Sequence, residues 1–365
     1  MARIPKLDLA LKYAPFYLKG FYEYHIKKHF GPLAPRELMF PITYRCNARC
    51  IMCNIWQLPK KKELSLQQIE QLASNKLFKG IQAINLTGGE PTLRKDIIQI
   101  AYVLTDLLPK LEKLTLTTNA LDTEKVTSSC IGIAESCRKH GIDFLVEASL
   151  DGIGKTHDNI RNVPDAFGKV TETTSELKQL SKRHHFRLGI NTTISPFNLH
   201  DASRVYEWCK EHNIDTFFTV ASIAENYYAN IGDSDSLQFQ DEDKKYLVAF
   251  LQKLAEEKSA FNFLAYYYND LIKMIRDNQP RTTPCVFRLD AFILDAFGDM
   301  YYCLYGNKIG NCLERNCSEI YFDPQNLAHR QEIIRDKCPT CFTNCFSSIG
   351  IGKELFKYLR FLFSN

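Results

Sequence analysis

The chain has 365 residues, 45% of them hydrophobic, with 46 Lys and Arg against 42 Asp and Glu and a formal net charge of +4. It is too long and too apolar for a disulfide-stapled peptide or a disordered tail, and it lacks the basic excess of a nucleic-acid binder. No run of about 18 apolar residues is present and the first residues lack a signal peptide's apolar stretch, so the expectation is a cytoplasmic α/β protein with a full core.

Residues 1–38 read as a basic, aromatic extension. Within the first 40 residues seven basic side chains (Arg3, Lys6, Lys12, Lys19, Lys27, Lys28 and Arg36) outnumber three acids (Asp8, Glu23 and Glu37). Tyr13, Phe16, Tyr17, Phe21, Tyr22 and Tyr24 are interleaved with them. The plain reading is that the aromatic faces cap the body of the protein and the lysines are solvated. The functional alternative is an interfacial patch for a membrane or an anionic partner.

From 39 to 220 short β-rich runs alternate with amphipathic stretches. The spacing predicts strands over 39–44, 82–87, 113–118, 143–149, 187–193 and 214–220. Helices are expected between them, for example over 65–74 behind a Ser65…Gln68 capping box and over 123–140 behind Asp122. Six such alternations imply a parallel sheet with right-handed crossovers. That is a partial (β/α)6 barrel of TIM-like type or, as runner-up, a doubly wound sheet. In both, ligands bind at the C-terminal ends of the strands. The unusual residues fall there: Cys46 after the first strand, Gly88, Gly89, Glu90 and Pro91 after the second, Asn119 after the third, Asp151 and Gly152 after the fourth. Residues 221–280 read as a mostly helical linker, from the apolar spacing over 246–254 and 261–275, and Pro280 and Pro284 mark its end. A small cysteine-rich module is expected over 281–345 and an amphipathic tail over 346–365.

Thirteen cysteines, an odd number, point to metal or redox chemistry rather than a disulfide framework. Cys130, Cys137 and Cys209 are scattered in helical patterns, as small core residues are. Cys46, Cys50 and Cys53 sit on one loop with no fourth ligand nearby. A structural zinc site wants four ligands, whereas three closely spaced thiolates suit an Fe–S cluster with one iron left open for a small molecule. Seven more cysteines lie from Cys285 to Cys345.

The C-x3-C-x2-C spacing, with Thr87, Gly88, Gly89, Glu90 and Pro91 after the next strand, resembles the radical S-adenosylmethionine (SAM) superfamily over about residues 40–220. The resemblance implies a [4Fe–4S] cluster on Cys46, Cys50 and Cys53, whose open iron binds the amino and carboxylate groups of SAM. One electron from the cluster then cleaves SAM to methionine and a 5′-deoxyadenosyl radical, which abstracts a substrate hydrogen. By the same resemblance Glu90 and the backbone of 88–91 hold the SAM ammonium, the glycines allowing close approach. Ser149 and Arg161, in a stretch with Asp151, Gly152, His157 and Asp158 that resembles the family's fourth-strand segment, would contact its carboxylate. Asn119, beside Thr118, and Asn191 would make weaker polar contacts to the methionine or ribose. Met52 stands where the family often has an aromatic residue, and Met also covers an adenine face.

Cys285, Gly298 and Cys303, followed by Cys338, Cys341 and Cys345 in a C-x2-C-x3-C run, resemble the twitch domain, the shortened form of the SPASM domain, which holds one auxiliary [4Fe–4S] cluster. Its ligands would be Cys285, Cys303, Cys338 and Cys341, with Cys345 as an alternative. The full SPASM run for two auxiliary clusters is longer, and a second cluster here would need Cys312 and Cys317. A zinc knuckle is the other reading. An auxiliary cluster implies an electron acceptor and so a radical SAM oxidoreductase, with SAM as co-substrate and a flavodoxin or ferredoxin as donor. In sulfatase-maturing relatives an acid serving as base follows the second auxiliary cysteine. Here that position is Leu304, and Asp295 and Asp299 are weak alternatives that turn chemistry explains as well. The 40 residues before the first strand are short for the leader-binding domain of peptide-modifying relatives. The expected substrate is a sugar, a cyclitol or a membrane-associated glycan or lipid precursor, with peripheral contact at the inner membrane face. The rivals are a peptide or protein maturase and a non-catalytic Fe–S or zinc scaffold.

Overall fold

The computed structural model describes residues 18, 20–22, 25–58, 61–258, 263–343, 345 and 355–364. The chain divides into two compact units, Ala34–Phe239 with Ala291–Ile333, and Met1–Leu33 with Gln240–Asp290 and Ile334–Asn365.

The first unit is organised by strands β1 (Glu37–Thr43), β2 (Ala83–Gly88), β3 (Lys113–Thr118), β4 (Asp143–Ser149), β5 (Arg187–Ile194), β6 (Asp215–Val220), β7 (Ala291–Leu294), β8 (Asp299–Tyr301) and β9 (Gly310–Asn311). They form one sheet in the order β6-β5-β4-β3-β2-β1-β7-β8-β9. β1 to β6 are parallel to their neighbours, β7 joins the free side of β1 in parallel, and β8 and β9 follow antiparallel. This open, parallel-dominated sheet is the partial barrel expected. The crossovers carry α1 (Leu66–Ser74), α2 (Ile97–Leu107), α3 (Thr123–His140), α4 (Lys155–Arg161), α5 (Ala166–His184) and α6 (Ala202–Glu211).

Local signals act as the sequence predicts. The Gln68 amide donates to Ser65 Oγ at 3.2 Å and the Ser65 amide to Gln68 Oε1 at 2.9 Å, closing the capping box of α1. α3 starts behind Asp122, which accepts from the Lys125 amide, and stops at Gly141 in the left-handed region (φ 68°). The central strands alternate, one face apolar against the helices and the other carrying Asn85, Thr115, Thr117 and Glu147. Ile84, Leu86, Leu114, Leu116 and Val146 are at most 2% exposed, and burying each such side chain contributes ~1.5–3 kcal/mol. Cys130, Cys137 and Cys209 are buried core residues.

The stretch 281–345 is not one compact piece. All four residues of β7 are buried, and Leu38 and Met39 pair with Phe292 and Ile293. Phe292 also meets the ring of Phe78 at 5.6 Å. Residues 291–333 therefore belong with the sheet, and 281–290 and 334–345 with the other unit. After β9 come α9 (Cys317–Tyr321) and α10 (Pro324–Asp336).

The second unit contains α7 (Asp241–Glu256), α8 (Phe263–Asp277) and α11 (Leu355–Ser364), the first two where the apolar spacing predicts helices. Residues 221–240, read as part of that helical linker, form irregular backbone with a single 3-10 turn at Ile231–Asp233. The side chain of Asn230 takes over its hydrogen bonding. Residues 1–17, 19, 23 and 24 of the basic extension, and 344, 346–354 and 365 towards the other end, lie outside the described residues. No described helix is long and apolar enough to cross a membrane.

Candidate functional site

Cys46, Cys50 and Cys53 lie on the loop after β1, and three neighbouring segments hold that loop by its backbone. From the end of β2, the Gly89 amide donates to Thr43 O and the Glu90 amide to Arg45 O, both at 2.8 Å. These contacts require glycine: a Cβ on Gly88 (φ 145°) would run into Thr43 O and one on Gly89 into Arg45 O. From the end of α4, Arg161 O accepts from the Arg49 amide and Ile160 O from the Ile51 amide, both at 3.0 Å. From the irregular stretch after β6, Tyr228 O accepts from the Asn54 amide at 2.7 Å. Asn230 Nδ2 donates to Met52 O at 2.9 Å and to Ser222 O at 3.0 Å, and the Tyr227 hydroxyl reaches Thr87 Oγ1 and Gly88 O. Tyr227, Tyr228 and Asn230 escape a reading of the sequence because nothing in a polar linker shows which carbonyls an Asn will satisfy.

Of the other sequence candidates, Glu90, Asn119 and Arg161 reach this loop. Glu90 is 1% exposed. Its Oε1 accepts from Thr92 N, Thr92 Oγ1 and Thr118 Oγ1 at 3.1, 2.7 and 2.9 Å, and its Oε2 from Asn119 N at 2.7 Å. Glu90 therefore ties the end of β2 to that of β3, with only Oε2 keeping spare accepting capacity. Pro91 opens the 3-10 turn that follows. Asn119 Nδ2 donates to Asn47 Oδ1 at 2.7 Å and to Cys46 Sγ at 3.9 Å. Arg161 pairs with buried Asp151 at 2.6 Å and donates from Nη1 to Cys50 Sγ at 3.7 Å. Asp151 also accepts from Thr193 N, and its own amide donates to Nδ1 of fully buried His157. Burial first, and the Arg161 charge second, push the His157 pKa down to about 2, so His157 is a neutral positioning group. Ser149 stands opposite Asn191 across the β4–β5 ladder.

Among these residues Arg161 Nε, Asn191 Oδ1 and His157 Nε2 are buried without a hydrogen-bond partner, and Asp151 Oδ2 has its ion pair with Arg161. Arg161 Nε is a donor on a cation, which a carboxylate would satisfy, and Asn191 Oδ1 an acceptor, which an ammonium would satisfy. Burial, the largest cause in each case, pushes the Cys46 thiol up to about 11, Cys53 up to about 12, and Cys50 upward as well. Iron would have to supply the energy of ionising them, as coordination does. Three thiols, the side-chain donors of Asn119 and Arg161 beside them, and the unpartnered Arg161 Nε fit a cluster with a bound amino acid.

A cavity of about 590 Å³ adjoins the loop, lined among others by Cys46, Tyr44, Arg45, Arg49, Trp56 and Phe297. Arg49 lies 4.6 Å over the Trp56 ring, and the Tyr44 hydroxyl donates to Asp295 Oδ2 at 3.3 Å. Asp295 Oδ1 accepts from the amides of Phe297 and Asp299, both at 2.9 Å, as a hairpin cap does. Burial holds its carboxyl up to about 6. Asp299 is taken up by Lys308 and Asn311.

A second thiol group forms in the other unit. Asp270 of α8 accepts from the amides of Thr282 and Thr283. The Tyr267 hydroxyl donates to Phe342 O at 2.7 Å, and the Arg281 amide to Pro339 O at 2.9 Å. These bonds bring 281–285 against 338–345. Cys285 and Cys341 consequently lie within electrostatic reach of each other and of both Cys338 and Cys345. Cys303 instead belongs to the sheet unit, packed against its core, where Cys312 and Cys317 share a side-chain hydrogen bond. No group of three or more His, Cys, Asp or Glu among the described residues is disposed to hold a metal ion. Zinc draws its thiolates to ~2.3 Å from one centre, whereas a four-iron cube spreads them over its corners.

The family model described as the Radical SAM superfamily matches residues 40–220. AdoMet-dependent heme synthase of Methanosarcina barkeri is 31% identical over 182 residues, 49% of this chain and 48% of the relative. Molybdenum cofactor biosynthesis protein 1 of Drosophila melanogaster is 41% identical over 138 residues, 37% of this chain and 21% of the relative. GTP 3',8-cyclase of Mesorhizobium japonicum is 42% identical over 87 residues, 22% and 26% of the two chains. The chain thus spans about half, or less, of the curated relatives it matches. Among solved structures, Streptococcus suis SuiB bound to S-adenosylmethionine superposes with a TM-score of 0.60 at 16% identity, covering 89% of this chain and 79% of that one. Native anSMEcpe with bound AdoMet and Kp18Cys peptide gives 0.59 at 16% identity, covering 91% and 100%. The stretch that matches the family, residues 40–220, is just under half of the chain. Proteins of this family work with a [4Fe–4S] cluster and SAM, the two groups that the thiol loop and its unsatisfied polar neighbours fit.

Proposed function

We propose that the protein is a radical SAM oxidoreductase acting on a small molecule, with Cys46, Cys50 and Cys53 as the ligands of the SAM-binding cluster. The observation that carries this reading is the three-thiol loop, clamped on three sides, with Arg161 donating to Cys50 Sγ while its own Nε is buried without a partner. Arg161 and Ser149 would hold the SAM carboxylate, and Asn191 and Glu90 Oε2 its ammonium. Asn119 orients the loop through Asn47, and Asp151 with His157 fixes Arg161. When bound, the cluster supplies one electron to SAM, whose cleavage yields methionine and a 5′-deoxyadenosyl radical that takes a substrate hydrogen atom.

In this reading Cys285, Cys338, Cys341 and Cys345 hold one auxiliary [4Fe–4S] cluster. Cys345, the alternative to Cys303 as fourth ligand, is preferred because Cys285 and Cys341 act on its charge. Held by those cysteines, an oxidised auxiliary cluster would supply an acceptor for the second electron of a two-electron, two-proton oxidation, with the second proton going to a base. Asp295, reached through Tyr44 at the cavity, is the candidate proton acceptor. Names such as heme synthase and GTP 3',8-cyclase among the relatives favour a small molecule. The peptide in the anSMEcpe structure favours a second reading, a peptide or protein maturase. A flavodoxin or ferredoxin would deliver the electron. Leu18, Tyr22, Ile26 and Phe30, spaced by four residues, are 63%, 52%, 44% and 86% exposed, and Phe356, whose ring lies 6.0 Å from that of Phe21, is 72% exposed. With Lys27 also exposed, they support peripheral contact with an anionic membrane face and a lipid-linked substrate.

The test is anaerobic incubation of the reconstituted protein with SAM and dithionite, followed by chromatography for 5′-deoxyadenosine. The reading requires its formation, and a non-catalytic scaffold would yield none.

A further inference from the structure

The second thiol group holds a cation that ligation alone does not need. Arg281 is 9% exposed and lies among the thiols. Its Nη1 donates to Cys341 Sγ at 3.7 Å and Cys341 O at 3.2 Å, its Nε donates to Thr283 O at 2.9 Å, and its charge acts on Cys285, Cys341 and Cys345. Its Nη2 is buried with no partner. A guanidinium does not shed its proton in a protein, and a buried donor left unsatisfied is destabilising. Arg288, half-buried, acts on Cys338, and its Nε is likewise buried without a partner. Two guanidinium groups with unused donors thus face four cysteines.

Building on the auxiliary-cluster reading above, we infer that Arg281, assisted by Arg288, is a positioning residue that donates from Nη2 to a sulfur of the auxiliary cluster and raises its reduction potential. A four-iron cluster on four thiolates is an anion when oxidised and gains a further negative charge with each electron. Fixed cations beside it favour the reduced state, the more so in a buried site of low dielectric constant. Net charge and hydrogen bonds to sulfur are the levers by which a protein sets such a potential. The site is thereby built to accept an electron, the direction an oxidative reaction needs.

The experiment uses the full-length chain with Cys46, Cys50 and Cys53 all changed to Ala, so that only the second site is loaded, reconstituted anaerobically with iron and sulfide. Metal analysis is followed by a redox titration read by electron paramagnetic resonance. The Arg281→Gln variant in that background is expected to keep about four irons. Its reduced-to-oxidised ratio at the parent's midpoint should fall at least tenfold, a shift of about 59 mV for one electron. Arg281→Lys keeps the charge but not the fork and falls between, and Arg288→Gln shifts the midpoint less. An unchanged midpoint in an iron-loaded Arg281→Gln protein overturns the inference and leaves the cluster standing. No iron, or zinc alone, in the parent overturns the cluster reading itself. Should Arg281→Gln fail to assemble, Arg281→Lys and Arg288→Gln decide, and unchanged midpoints in both count against the inference.

Discussion

The two cysteine groups are built by opposite means. Cys46, Cys50 and Cys53 come from eight consecutive residues, and their geometry is imposed by backbone hydrogen bonds from three other segments. Cys285 and Cys345 stand 60 positions apart, and the second group exists only because α8 pins two distant segments together. The first offers three thiols beside polar atoms that still want partners. The second offers four thiols beside a buried Arg281 and a half-buried Arg288. Catalytic metal centres keep a position open while structural ones are closed. The same distinction separates a cluster that binds a substrate from one that only stores an electron.

The largest expected effect tests whether the second group is closed by Cys345. Cys345→Ala should cost the protein about four irons while Cys303→Ala keeps them, as counted by iron and sulfide assay. The opposite pattern would restore Cys303 and break the comparison. Next in size is Arg161→Met, which strands the buried Asp151 carboxylate. Removing one partner of a buried ion pair costs about 3–5 kcal/mol, readable by chemical denaturation, and the first site alone should lose SAM affinity. A change below 1 kcal/mol would mean that Asp151 is satisfied elsewhere.

The smallest effect concerns pH. His157 is neutral when folded, with its pKa pushed to about 2, whereas the unfolded chain protonates it below about 6.5. The unfolded state therefore binds the extra proton as pH falls through 6.5, and stability is lost at about 1.4 kcal/mol per pH unit below it. The stability difference between wild type and His157→Gln should shrink by about 2 kcal/mol between pH 7 and pH 5. A difference independent of pH would contradict the burial of a neutral imidazole.

What the sequence made legible follows the same division. Strands β1 to β6 announce themselves by apolar runs between turn residues, and α1 and α3 by caps, because those signals are local. The thiol loop and Gly88–Gly89 are contiguous or fall at strand ends, so both could be found without coordinates. The glycines' reason was only half visible: they admit the carbonyls of Thr43 and Arg45 as well as allowing a ligand near. The second group was only partly legible, since its segments are brought together by the side chains of Tyr267 and Asp270 on α8, far from any of the cysteines in sequence. Arg281 and Asn230 carried no motif at all. Their roles come from unsatisfied atoms and from carbonyls supplied by other segments, and no periodicity encodes those.

The most direct measurement is an iron and sulfide count on the anaerobically reconstituted protein beside the variant with Cys46, Cys50 and Cys53 changed to Ala. The account predicts about eight irons in the wild type and about four in the variant, with 5′-deoxyadenosine formed from SAM by the wild type only. A variant with no iron would contradict it, removing the second cluster and the electron-acceptor role with it.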